Sequence, residues 1–168
     1  MPKIIDNLKP RLMAEARRQV NAYGYGSVTV RSVAAACGVG VGTVYNYFPA
    51  KDALIAAVLL EDWAQCMERV RAAGEAASGP EPVLRAMYEE LYAFADTHSG
   101  IFRDAHALPA YAGAAAHYHA MLRMQLAEPL RPFCADAFTA EFIAESMLAW
   151  TMAGKSFEEI YSILNKLL

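Results

Sequence analysis

Cysteine is scarce in this chain and badly spaced for pairing. There are three, Cys37, Cys66 and Cys134, and no CxxC pair. An odd, scattered set argues against a disulfide framework and against a cysteine zinc site, and it fits a reducing cytoplasm. Also missing is any uncharged apolar run long enough to cross a bilayer. The first residues, MPKIIDNLKPRLMAE, carry charge throughout and do not read as a secretory signal. Runs that alternate apolar and polar residues are few, which leaves little material for β-strands. No GxSxG, phosphate-binding loop, HExxH or paired-carboxylate pattern occurs. These absences exclude a disulfide-stapled domain and a membrane span, and they point away from an enzyme or a bound cofactor.

What is present is apolar surface. Apolar residues make up 56% and charged residues 20% of the 168, enough for a buried core in one body or two small ones. Plentiful alanine, leucine and methionine favour an all-α protein. Charge is split unevenly. Residues 1–51 hold seven basic and two acidic groups, a net +5, whereas residues 52–168 carry a net −8. A basic head on an acidic body suits a DNA-binding module joined to a different domain; chance variation in solvated charge is the plainer alternative.

Periodicity places the helices. Ile5, Leu8, Leu12, Ala16 and Val20 form one stripe of a helix over about residues 3–23, with Pro10 either kinking it or marking its true start. Thr29 is a natural N-cap for a helix over 30–37, which Gly38 ends. A third helix is expected over 41–48, stopped by Pro49, and a long fourth from Lys51 to about residue 73. Further helices are expected over 83–96, around 101–108, over 111–131 and over 137–152. The last opens at Ser156 with a capping-box pattern.

On a helical wheel of 41–48, Val44 and Phe48 fall together and point inward, while Gly42, Thr43 and Asn46 fall on the far side. Gly42 lets backbone approach a base or sugar. Thr43 and Asn46 suit hydrogen bonds to phosphates or base edges, and Tyr45 suits packing on a thymine methyl. Tyr47 reads as a phosphate contact, with core packing as the alternative for both tyrosines. Lys51, in the first turn of the fourth helix, suits a phosphate gripped together with free backbone N–H groups. Thr29 opens the second helix in the same way. Val41 completes the expected DNA-facing set.

The run from Gly24 to Leu54 resembles the DNA-binding domain of tetracycline-repressor-like (TetR-family) transcriptional regulators. The matching residues are Gly24-Tyr25, Thr29-Val30, Val33-Ala34, Cys37-Gly38-Val39, Gly42-Thr43-Val44-Tyr45, Tyr47-Phe48-Pro49 and Lys51-Asp52-Ala53-Leu54. Two positions depart from the family pattern. Gly40 and Ala50 stand where serine or threonine commonly caps a helix, and alanine at a cap costs roughly 0.5–2 kcal/mol.

The resemblance implies a helix-turn-helix DNA-binding domain over 1–50 and a helical effector-binding and dimerisation domain over 51–168. It implies double-stranded palindromic operator DNA as partner, a small-molecule effector, and a homodimer that acts as a repressor. Met67, Met87, Phe94, Phe102, Tyr118 and Met121 are candidates for lining the effector pocket. Phe142, Met147, Trp150, Phe157, Ile160, Tyr161 and Leu164 are candidates for the dimer interface, with the protomer's own core as the alternative. Four histidines, His98, His106, His117 and His119, crowd one segment, but their spacing is not that of a metal site. Two rivals remain at this stage: a helical metal-dependent enzyme, and a partner-binding module that no longer binds DNA.

Overall fold

A computed structural model describes residues 7–102 and 119–168 of the chain. The first helix, α1 (Leu8–Tyr23), buries Leu8, Leu12, Met13, Ala16 and Val20 on one face. Pro10 sits in its first turn, where a missing N–H costs no hydrogen bond. Gly24, at φ 79°, ends the helix, and a 3-10 turn over Tyr25–Ser27 follows. The second helix, α2 (Val30–Ala36), opens on a reciprocal cap. Ser32 N–H donates to Thr29 Oγ1 at 3.0 Å and Thr29 N–H donates to Ser32 Oγ at 3.1 Å. It closes on Gly38 at φ 69°. There Val39 N–H donates to the Ala34 carbonyl and Gly38 N–H to the Ala35 carbonyl, the Schellman arrangement that only a left-handed residue allows.

Helix α3 spans Val41–Tyr45, three residues shorter than its sequence pattern suggests. Asn46 and Tyr47 N–H donate to the carbonyls of Thr43 and Val44, three residues back, so the last turn tightens. Pro49 explains the early stop, because the residue before a proline is pushed out of helical geometry. Helix α4 (Lys51–Ala76) follows, then α5 (Pro80–Thr97) and α6 (Ser99–Phe102). Helix α5 starts three residues earlier than expected, since Pro80 and Pro82 fit a first turn that needs no donors.

Helix α7 is described over 119–127. The chain then tightens into a 3-10 turn over Glu128–Phe133 rather than continuing as α-helix to Arg131, because Pro129 and Pro132 supply no N–H. Helix α8 (Ala137–Met152) is capped by Asp136, which accepts from Thr139 N–H at 2.7 Å. Gly154, at φ 80°, ends it in a second Schellman closure. Helix α9 (Phe157–Leu164) opens on the Ser156–Glu159 capping box.

The described residues form two compact units, one made of 7–62 and 97–102, the other of 63–96 and 119–168. The first has its own core from α1 to α3, the start of α4 and Ile101. The second has a separate core around Trp63, Leu84, Met87, Leu126, Ile143 and Met147. All regular structure among the described residues is helical.

Candidate nucleic-acid interface

Helix α3 divides cleanly. Val44 is fully buried and Phe48 nearly so, and together they anchor it in the first unit's core. Gly42, Asn46 and Tyr45 are exposed, Tyr45 by half, while Val41, Thr43 and Tyr47 are half-buried. A Cβ added at Gly42 would meet no protein atom within 4 Å, so nothing inside the protein demands glycine there. The turn ahead of α3 is tied back to α1. Arg11 Nη2 donates to the Cys37 carbonyl at 3.0 Å, and the Cys37 thiol faces the Arg11 carbonyl at 3.7 Å. Burial pushes that thiol above its ordinary pKa, so it stays protonated.

The two expected phosphate-gripping positions have partners of their own. The Thr29 hydroxyl accepts the Ser32 N–H as a cap, and the residue is exposed. Lys51 is half-buried, with its Nζ 3.2 Å from the Tyr25 carbonyl oxygen and 3.9 Å from the centre of the Tyr25 ring. The Tyr25 hydroxyl donates a hydrogen bond to Asp52 Oδ1. Tyr25 has no assigned role from sequence beyond its place in the family pattern. Its bonds span 26 and 27 residues, and no local spacing announces them.

The other predicted residues are distributed more widely. Met67 and Met87 belong to the second unit's core, Phe94 packs edge-on to Trp63 at 5.5 Å, and Met121 is half-buried. Phe102 is in the first unit, beside the His98 ring, and Tyr118 lies outside the described residues. Met87 is wholly enclosed by its own core. A cleft of about 320 Å³ in the second unit is lined by Met67, Arg71, Gln125, Glu128 and Pro129 among others; of the expected effector residues it takes in Met67.

The expected interface stripe also splits. Met147, Phe157, Ile160 and Leu164 are buried in the second unit's core, and Tyr161 stacks on Phe157. Phe142 and Trp150 are exposed. With Ile160, Ile163 and Leu164 they line an open apolar cleft of about 330 Å³, flanked by the Lys155–Glu159 ion pair. Exposed Phe138 and Ile163 extend this surface and were not in the expected set.

The two described histidines each face a carboxylate of their own unit. His98 is buried in the first unit, 3.2 Å from Asp62, and His119 in the second pairs with Glu145 at 2.9 Å. His106 and His117 lie outside the described residues. Among the described residues, no three His, Cys, Asp or Glu side chains are grouped to hold a metal, and no helix is long and apolar enough to cross a membrane.

A capped helix, a left-handed glycine turn and a short helix with a polar outer face form a helix-turn-helix. Residues 12–58 match the family described as "Bacterial regulatory proteins, tetR family". Over 63 residues it is 30% identical to the HTH-type transcriptional regulator UidR of Escherichia coli (strain K12), covering 38% of this chain and 32% of the relative. The chain therefore spans about a third of the length of the curated relatives it matches. Solved structures share its fold along nearly its full length. Salmonella enterica GusR has a TM-score of 0.69 at 20% identity, covering 99% of this chain and 98% of the other. The multidrug binding protein EbrR, complexed with imidazole, has a TM-score of 0.68 at 22% identity, covering 98% and 96%.

Proposed function

We propose that the protein is a homodimeric, sequence-specific DNA-binding regulator of transcription, a repressor released by a small hydrophobic ligand. The division of α3 carries this reading: buried Val44 and Phe48 hold the helix while Gly42, Tyr45 and Asn46 face outward, inside the segment that matches the tetR family. In this reading Gly42, Thr43, Tyr45 and Asn46 meet base edges and sugar, with Val41 beside them. Thr29, Tyr47 and Lys51 meet phosphates.

The exposed apolar surface around Phe142, Trp150 and Ile163 supports pairing with a second copy. A two-fold dimer would read a palindromic operator, with half-site spacing set by its two α3 helices. The effector would bind in the second unit, to which α4 contributes residues 63–76. Release requires that the ligand prefer the conformation that does not bind DNA. The fold is shared with a multidrug binding protein, which accords with a small-molecule effector.

The test is a gel shift of the purified protein against the region upstream of its own gene, repeated across a salt series. Retardation that weakens as salt rises is expected. Dimeric protein that retards no upstream fragment would overturn the reading. Compounds that raise its melting temperature identify the effector.

A further inference from the structure

Tyr25 handles both charges at the start of α4. It is 2% exposed, in the 3-10 turn between α1 and α2. Its ring lies under the Lys51 ammonium at 3.9 Å, its carbonyl accepts from Lys51 Nζ at 3.2 Å, and its hydroxyl donates to Asp52 Oδ1. These groups come from one buried side chain and its own backbone. They act on adjacent residues of opposite sign.

The two charges have opposite consequences for a bound phosphate. A cation over an aromatic face keeps its charge, and the Tyr25 carbonyl takes one of three N–H donors on Lys51. The lysine is thus ordered with further N–H donors left over. Asp52 suits the helix, because a carboxylate in a first turn is favoured by the helix dipole. Beside a phosphate the same carboxylate is repulsive, and repulsion at a few ångströms is weakened when a donor holds the charge aside.

We propose that Tyr25 is a positioning residue for phosphate binding: its ring and carbonyl hold Lys51 in place, and its hydroxyl holds the Asp52 carboxylate away from the phosphate. This rests on the reading of the site as a DNA interface. Because the effect is on the backbone grip, it acts on every DNA sequence alike.

The test is fluorescence anisotropy of the full chain with a labelled mixed-sequence duplex at low salt, so that no operator is needed. Tyr25→Phe keeps the ring and loses the donor. Its affinity is expected to fall by about three- to tenfold, the scale of gaining a like charge beside the phosphate. Adding Asp52→Asn to Tyr25→Phe should restore most of that loss. Restoration separates positioning from stability, since removing Asp52 repairs no packing.

Equal affinity of Tyr25→Phe and the unaltered chain would overturn the inference. So would a loss that Asp52→Asn does not repair. Should Tyr25→Phe fail to fold, Asp52→Asn alone decides. Little change supports the inference, whereas clear tightening shows that Asp52 already repels DNA and overturns it. If the unaltered chain binds no duplex at all, the regulator reading itself fails.

Discussion

Arg17 of α1 holds Asp62 of α4 through both carboxylate oxygens, 3.0 Å from Nε and 2.5 Å from Nη2. The same guanidinium reaches Glu61 at 2.9 Å, and His98 Nε2 lies 3.2 Å from Asp62 on the other side. One carboxylate therefore joins α1, α4 and the segment just before α6. Asp62→Ala is expected to destabilise the fold by about 2 kcal/mol, less than a fully buried pair because Arg17 and Asp62 are partly exposed. For a chain of this length that lowers the melting temperature by roughly 4–8 °C, read by circular dichroism.

His98 makes this cluster sensitive to acid. Burial pushes its pKa below the ordinary 6.5, with Arg17 adding to the effect and Asp62 opposing it. A depressed folded-state pKa means that the unfolded chain takes up the proton first, so stability falls as pH drops below that ordinary value. The melting temperature should therefore decline between about pH 7.5 and 5.5, and His98→Asn should flatten the decline. An unchanged slope in the variant would assign the decline elsewhere. Asp136 and Glu159, held low chiefly by the backbone N–H groups of Thr139 and Ser156, contribute only below the carboxylate range and do not blur this window.

Substitutions at the DNA-facing surface should separate grip from reading. Lys51→Ala is expected to weaken binding equally on all sequences and to lower the salt slope by roughly one. Asn46→Ala or Tyr45→Ala should instead change the ranking of operators, by about 1–3 kcal/mol at the affected position. Affinities across a panel of duplexes at two salt concentrations distinguish the two patterns. Three variants with unaltered DNA affinity would remove this face from the interface.

On the second unit, Trp150→Glu should abolish dimerisation and leave the helix content intact, because Trp150 is 53% exposed. Met147→Ala, three residues earlier and wholly buried, should cost about 2–5 kcal/mol of stability. Sedimentation and thermal unfolding read the two effects separately. A Trp150→Glu protein that remains dimeric would place the interface on another surface.

The sequence was most legible where structure is local. Thr29, Gly38, Gly154 and Ser156 mark helix ends because each acts on backbone within a few residues. Val44 and Phe48 were legible as the inward pair, since helical spacing alone puts them together. Sequence was silent on Tyr25 with Lys51 and on Arg17 with Asp62, partners 26 and 45 residues apart. It also failed to divide the α8–α9 stripe. Met147 and Trp150 are three apart in an apolar helix, and only the packed neighbours decide which turns inward. The same ambiguity left Met87 open between pocket and core, and it packs in the second unit's core.

Gly42 is the second residue of a five-residue helix, where glycine is less favourable than alanine, and the space beside it is empty of protein. Directed evolution of this chain for heat resistance alone would therefore drift toward alanine at 42. Nothing in the folded protein would resist the change. The first trait at risk in such a stabilised lineage is closeness of approach to the duplex, so any thermostability screen on this scaffold needs a DNA-binding counter-screen beside it.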